Sequence, residues 1–499
     1  MTNSPFPILI IIFPLLSALI IPLIGLWKKE LCFYVAVLAL ILSTLSTVAV
    51  ANTVLSTGPV HYYLGNWEPP WGIEYVLDHL NIFIALIVSF ISLAAAVFSR
   101  EAVKKDFPYK TAFFYCTFLL LVTGLLGIVV TGDLFNLYVF LEIASLAGYA
   151  LIAIGDEKAP LASFRYVIMG TVGACFYLLG VGYLYMATGS LNIADLSTIL
   201  PKLYSSKVIL VAAAFFIAGV ALKMALFPLH VWLPDAYTYA PSTVSALIAP
   251  LMTKVGAYVM IRIMFTLFEP YFSITLFPIT KIFGWIAVAA IIYGSIMALA
   301  QKDFKRILCY VIVAEMGYIA IGIGTGNRIG LTGSILHIAN DVLMMTCLFF
   351  VAGAIIHKTG AKNIDDFRFL HKKMPFTAAV LVIGSFSVVG IPPLCGFFSK
   401  WYLILGAINS RNWIFAGVLL LSTLLNAIIF IRILEKAYFN QGGTSAGAHE
   451  PAQDEITVSE APLSMLVPMS VIASGIILAG LFSGKIVETF IQFAIPAGL

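Results

Sequence analysis

Apolar residues run in long stretches almost end to end, broken only by short clusters of turn-forming and charged residues. A bilayer core needs about 20 apolar residues per spanning helix. Cutting the chain at its turn residues and charge clusters predicts about fourteen such spans. They run 6–27, 31–55, 78–99, 111–131, 133–154, 164–188, 206–229, 241–267, 277–300, 305–323, 330–356, 376–409, 412–436 and 463–483. An even number returns both termini to one side. The first stretch, Phe6 to Trp27, has no basic residues before it and is longer than a signal-peptide core, so it is expected to stay as the first span.

Composition excludes the alternatives. Of 499 residues 61% are hydrophobic and 10% charged, with mean hydropathy +1.03; soluble domains carry roughly 25% charged residues. The expected class is an all-α polytopic membrane protein with no room for a sizeable soluble domain. The net charge of +4 says less than its distribution. With the N-terminus outside, eighteen basic residues fall in inner loops, among them Lys28, Lys104, Lys302 and Lys372, and six in outer loops. That bias predicts extracytoplasmic termini in a cell membrane and leaves nothing to suggest nucleic-acid binding. Four basic residues remain inside spans: Lys223, Lys254, Arg262 and Lys400. Arg262 is near enough to a helix end to snorkel. Gln441 to Glu460, rich in Gly, Ala, Ser and acidic residues, reads as a mobile cytoplasmic loop. The six cysteines (Cys32, Cys116, Cys175, Cys309, Cys347, Cys395) stand singly in apolar segments and read as small core residues. No cofactor and no metal site is expected.

The candidate chemistry lies within the spans. Glu142, Lys223, Lys254, Glu315, His337, Asp341 and Lys400 are intramembrane, with Asp133 at a helix start and His230 just after an interrupted segment. Facing lipid, the seven would cost on the order of 15–20 kcal/mol, so they must face the interior and pair. Buried ion pairs stabilise poorly compared with packed apolar residues, which makes a purely structural role for the whole set difficult to sustain. A desolvated lysine keeps its proton while a carboxylate faces it and loses it when the carboxylate withdraws. That is the elementary step of a proton pump.

Two spans carry helix breakers. Pro228 stands five residues after Lys223 and cannot donate to the carbonyl of Met224; Gly390, Pro392, Pro393 and Gly396 precede Lys400. Interrupted helices at membrane depth are tolerated only inside protein or beside a wet cavity, and a matched pair marks transporters. The breaks lie five helices apart, which predicts two inverted five-helix repeats. The expected division is 1–110 (helices 1–3), 111–267 (helices 4–8), 277–436 (helices 9–13) and 437–499 (loop and last helix).

Three segments carry a family resemblance: Gly132-Asp133-Leu134-Phe135-Asn136-Leu137-Tyr138-Val139-Phe140-Leu141-Glu142; Phe227-Pro228-Leu229-His230-Val231-Trp232-Leu233-Pro234-Asp235-Ala236-Tyr237; and Ala240-Pro241-Ser242-Thr243-Val244-Ser245-Ala246-Leu247. The chain resembles the antiporter-like proton-translocating subunits of respiratory complex I, membrane-bound hydrogenases and Mrp-type multi-subunit cation/proton antiporters. Thr253 to Tyr258 and Gly390 to Lys400 look most like the Mrp D-type subunit and its hydrogenase counterpart. The resemblance implies fourteen helices with two inverted repeats. It also implies that Glu142 pairs with Lys223, that Lys254 is the connecting lysine, that His337 opens the eleventh-helix motif and that Lys400 is the terminal lysine. That motif departs from the family in two places, where a histidine has become Asp341 and a lysine Met345. Methionine cannot carry a proton, so the stretch between Lys254 and Lys400 must rely on His337, Asp341, Glu315 or water.

The expected function is therefore ion translocation within a multi-subunit membrane complex, with protons and sodium as candidate ions and other membrane subunits as partners. Secondary antiport and redox-driven pumping both fit. The chain has no nucleotide loop or cysteine ligand set, so any redox centre, and with it any enzyme activity, must sit on a partner. An intramembrane enzyme finds no support in an H-E-x-x-H or a nucleophile placed with a base, and a scaffold with a degenerate channel rests on Met345 alone.

Overall fold

With no water in a bilayer core, backbone hydrogen bonds must close within each segment, and the apolar stretches accordingly form helices. The structure is a computed structural model and describes residues 4–155, 158–439, 458–496 and 498–499. From the N-terminus, α1 (Phe6–Trp27) and α2 (Lys29–Thr57) lead to a hairpin of β1 (Val60–Tyr63) and β2 (Glu74–Leu77). There follow α3 (His79–Asp106), α4 (Thr111–Val130), α5 (Leu134–Ala153), α6 (Ala159–Thr188), a short α7 (Ile193–Ile199), α8 (Lys207–Lys223), α9 (Trp232–Tyr239) and α10 (Ser242–Arg262). Next come α11 (Ile279–Ala300), α12 (Phe304–Gly324), α13 (Arg328–Thr359), α14 (Leu370–Lys373), α15 (Pro375–Val389), α16 (Cys395–Asn409) and α17 (Trp413–Tyr438). The chain ends with α18 (Leu463–Leu481), α19 (Ser483–Ile486) and α20 (Gln492–Ala494).

Among the described residues twelve helices are long and apolar enough to cross a membrane. The two further crossings are the interrupted pairs α8–α9 and α15–α16, which makes fourteen. The hairpin between α2 and α3 was not anticipated; it pairs Val60 with Leu77 and Tyr63 with Glu74. Of the acidic stretch Gln441 to Glu460, residues 441–457 lie outside the described residues. Its last residue is fixed, since Glu460 accepts from Phe376 N (2.6 Å), Thr377 N (3.2 Å) and Thr377 Oγ1 (2.9 Å) and so caps the start of α15. Cys175 is exposed rather than a core residue; Cys32, Cys309, Cys347 and Cys395 are buried.

One local arrangement occurs twice. Asp133 caps α5 through Asn136 N (2.7 Å), and Asp303 caps α12 through Arg306 N (2.9 Å). Each aspartate also forms an antiparallel bridge with an asparagine beyond the next helix, Asp133 with Asn192 and Asp303 with Asn363. The backbone bonds match: Leu134 N to Leu191 O and Ile193 N to Gly132 O in one, Phe304 N to Lys362 O and Ile364 N to Lys302 O in the other, all 2.9 Å. Five crossings separate the two, so they lie on opposite faces. We call the face carrying Asp133 and both chain ends the terminal face.

Burial sorts the helices. The membrane windows of α10 and α12 are wholly buried and that of α13 is 94% buried, against 28% for α1. These three interior helices carry Lys254, Glu315, His337 and Asp341. Charged groups are thereby kept from lipid, as the energetics demand.

Candidate functional site

Helix α8 stops at Lys223. The next residues leave helical geometry, with Ala225 at φ 53°, and α9 starts again at Trp232. The carbonyl of Leu222 accepts from Ala225 N (3.1 Å) across the break and from Trp232 Nε1 (3.2 Å). Lys223 Nζ donates to Ser145 Oγ (2.8 Å) and lies 3.5 Å from Glu142 Oε1. Ser145 is three residues after Glu142, on the same face of α5, so one helix presents both groups. The pair is loose: Glu142 Oε1 has no hydrogen bond, and the Glu142 side chain is 26% exposed. Beside Lys223 a cavity of about 20 Å3 reaches Val255, Gly256 and Val259 of α10, which is room for a water molecule. A Cβ on Gly256 would stand 3.1 Å from the backbone of Met224, so glycine lets α10 pack against the break itself.

The second pair crosses between the two repeated arrangements. Lys254 Nζ of α10 faces Asp341 Oδ2 of α13 at 2.8 Å, with both side chains buried. The contact lies outside hydrogen-bond alignment, and the lysine nitrogen and both Asp341 oxygens have no other hydrogen-bond partner. Buried polar atoms in that condition favour water or a moving proton.

The third group is a network. Glu315 Oε2 meets His337 Nε2 at 2.8 Å, and Glu315 Oε1 accepts from Asn426 Nδ2 (3.1 Å) and lies 3.8 Å from Lys400 Nζ. The other ring nitrogen of His337, Nδ1, bonds Ser399 Oγ (2.9 Å). Lys400 donates to the carbonyl of Val388 (2.5 Å), near the end of α15, and lies over the Tyr318 ring at 4.8 Å. His337 and Asp341 are one turn apart on α13, which joins the second pair to this network.

Three carboxylates thus face three lysines, so along this succession carboxylates and lysines balance in number. Balance is what makes such burial tolerable, since an unpartnered buried charge costs about 3–5 kcal/mol. Met345 is buried in α13 beyond Asp341, and Glu315 from α12 carries the contacts onward instead.

The remaining candidates lie elsewhere. Asp133 serves as the α5 cap, and His230 stacks against Phe227 and Tyr293 with its Nδ1 unpartnered. Arg262, the last residue of α10, pairs with Asp78 at 2.5 Å and donates from Nε to Tyr258 Oη at 3.1 Å. Asp78 lies in the loop before α3, where burial, which raises its carboxyl pKa, is outweighed by Arg262, which holds it below the usual carboxylate range. Sequence reasoning missed Ser145, Ser399 and Asn426. Only Ser145 carried a signal, its spacing from Glu142. Among the described residues no group of three His, Cys, Asp or Glu side chains is placed to hold a metal ion.

Residues 131–426 match the family profile described as NADH:quinone oxidoreductase/Mrp antiporter, TM. The chain is 45% identical to NADH-quinone oxidoreductase subunit N of Desulforudis audaxviator, over 99% of both chains. It is 34% identical to the D-type subunit of the Na(+)/H(+) antiporter of Alkalihalophilus pseudofirmus, over 86% of this chain and 85% of the relative. Among solved structures, a chain of an archaeal membrane-bound sulfane sulfur reductase superposes with TM-score 0.89 at 30% identity, covering 98% of this chain and 97% of that one. A chain of the Mrp complex from Dietzia sp. gives TM-score 0.87 at 24% identity, covering 97% and 96%, and shows the shared fold.

Proposed function

The chain belongs to the NADH:quinone oxidoreductase/Mrp antiporter membrane family, and from that premise we propose that it is an ion-translocating subunit of a multi-subunit Mrp-type cation/proton antiporter, passing protons along its buried pairs. The observation that carries the reading is the succession Glu142–Lys223, Lys254–Asp341 and His337–Glu315–Lys400. Protons wait on Lys223 and Lys254, pass through Asp341 and His337, and leave near Lys400. Withdrawal of Glu142 from Lys223 is the switch, and Asp133 and His230 lie outside the succession. In this reading the repeats are 111–267 and 277–436, flanked by 1–110 and 437–499, and both termini are extracytoplasmic. The decisive variant is Lys223→Ala: coupled transport is abolished in vesicles while the complex still assembles, and normal transport would sink the assignment.

A second reading has its own support. The full-length likeness to NADH-quinone oxidoreductase subunit N, and the likeness to a sulfane sulfur reductase chain, favour a pumping role powered by redox chemistry on a partner. Gentle solubilisation and mass spectrometry of co-purifying chains separate the two. Partners with iron–sulfur or nickel-site motifs make this the pumping arm of a redox complex; small hydrophobic Mrp-like subunits alone make it part of an antiporter.

A further inference from the structure

Besides the Lys254–Asp341 contact, a second connection joins the first break to Glu315, and it runs through α9. At the start of this eight-residue helix Trp232 donates from Nε1 to the carbonyl of Leu222, next to Lys223, while its ring stacks on Tyr166 of α6 with centroids 3.9 Å apart. At its far end α9 is gripped by the first turns of α12, on the face opposite the terminal face. Asp235 pairs through Oδ1 with Arg306 (3.2 Å) and through Oδ2 with Arg165 of α6 (3.0 Å). Arg306 also donates to Tyr239 Oη (3.5 Å), and Thr238 Oγ1 lies 3.7 Å from Cys309 Sγ. Lys305 Nζ donates to the carbonyl of Ala240 (2.6 Å), the residue that closes α9. Lys305 is 5% exposed, and the group it holds is a carbonyl rather than a carboxylate. A cation at a helix C-terminus is favourable, but burying a lysine against a neutral partner is a costly way to join two helices that apolar side chains would pack more cheaply. From this junction α12 continues as one helix to Glu315, about 14 Å beyond Arg306.

We propose that the α9–α12 junction passes displacement of the first break to the Glu315–Lys400 network, with Asp235 and Lys305 as its positioning residues. The inference rests on the reading that the Glu142–Lys223 pair is the switch. When Glu142 withdraws, Lys223 and the neighbouring Leu222 carbonyl shift, Trp232 carries α9 with them, and Asp235, Tyr239 and Ala240 carry the start of α12. The Arg165 side chain, 59% exposed, follows α9 rather than fixing it. Packed helices move in this way as units, by about 1–2 Å. A shift of that size at Glu315 is enough to close or lengthen its 3.8 Å approach to Lys400. No proton travels along this connection. It sets the geometry in which the last lysine holds or releases one.

The test uses the intact complex in lipid, with Cys116 and Cys175 replaced by serine and spin labels on Tyr109→Cys and Lys302→Cys, two exposed positions on the junction's face. Lys223→Gln stands for the lysine without its proton. With the junction intact it is expected to move the distance between the labels by about 1–2 Å, read by pulsed electron paramagnetic resonance. Lys305→Met with Asp235→Asn is expected to remove that shift and to lower transport at least tenfold, although every member of the buried succession is retained. Lys305→Arg, which still donates to the Ala240 carbonyl, keeps both. Asp235→Asn alone leaves only part-exposed arginines unpaired and is expected at least to halve the shift. A junction serving stability alone would lower the unfolding temperature of the cut variant and leave the shift in place. A shift that persists with the junction cut, or none with it intact, overturns the proposal. Failure of the wider reading shows separately, as transport that survives Lys223→Ala.

Discussion

Two broken helices hold the two outer lysines of the succession, and they hold them differently. Lys223 ends the half-helix before its break, and its carboxylate partner, at 3.5 Å, is 26% exposed and has an oxygen without a hydrogen bond. Lys400 lies in the half-helix after its break, gripped by the Val388 carbonyl and facing a fully buried Glu315 that His337 and Asn426 also hold. At the first break the Leu222 carbonyl is shared between the Ala225 amide and an indole, whereas at the second the Val388 carbonyl takes the lysine itself. A loose pair with an unbonded carboxylate oxygen rearranges readily. A clamped network gives its proton up only when several contacts move together. On the proposed reading, switching falls to the first region and holding to the second.

Removing Glu315 is the sharpest challenge to this contrast. Glu315→Ala strands Lys400 and His337 in the interior, and a stability loss of about 3–5 kcal/mol is expected, together with loss of transport. Thermal denaturation of the purified complex measures it, and a loss no greater than that of Glu142→Ala would erase the distinction between the regions. Next is the bridge between them. Lys254→Ala leaves Asp341 buried without its counter-charge, at a cost of about 3 kcal/mol, whereas Lys254→Ala with Asp341→Ala is expected to recover most of the stability but no transport. Additive losses in that double-mutant cycle would show that the 2.8 Å contact is not energetically coupled.

Lys223→Ala belongs lower on the scale of stability although it abolishes transport. The Glu142 carboxylate is part-exposed and not hydrogen-bonded at Oε1, so a smaller loss of about 1–2 kcal/mol is expected, readable in the same denaturation experiment. Ser145→Ala removes one hydrogen bond to Lys223, about 1 kcal/mol, and should slow proton flux several-fold without abolishing it. A wild-type rate would mean that Glu142 alone sets the switch. The smallest effect lies at the surface, where Asp78→Asn keeps the helix cap and removes the charge facing Arg262, worth about 1 kcal/mol or less. The Asp78 carboxyl is held below its ordinary value, so its contribution is complete above about pH 4 and disappears as pH falls through the lowered folded value. The stability difference between wild type and variant should therefore be flat from about pH 8 to about pH 5 and close to zero at strongly acidic pH. A difference that grows with acid would refute the ion pair.

Several of these groups were legible as residues but not as partners. Charge in an apolar span is conspicuous because its cost is fixed by the bilayer, so Glu142, Lys223, Lys254, Glu315, His337, Asp341 and Lys400 stand out without coordinates. The partner of Arg262 gave no signal, because a cation near a helix end looks the same whether or not a carboxylate 184 positions away meets it there. The role of Asp341 could not be inferred from its own helix, since its counter-charge comes from α10. Ser399 and Asn426 gave no signal, because single polar side chains are ordinary in membrane helices until a neighbour gives them a charge to bind.

The sequence by itself determined the class, the crossings, the position of the two breaks and the inventory of buried charge. Each follows from local chemistry: apolar length, a missing amide hydrogen, the price of a charge in hydrocarbon. Tertiary structure alone decided which carboxylates answer Lys254 and Lys400 and which three helices are withdrawn from lipid. Those depend on contacts between segments far apart in the chain, and lipid-facing and protein-facing surfaces are equally apolar, so no local pattern distinguishes them.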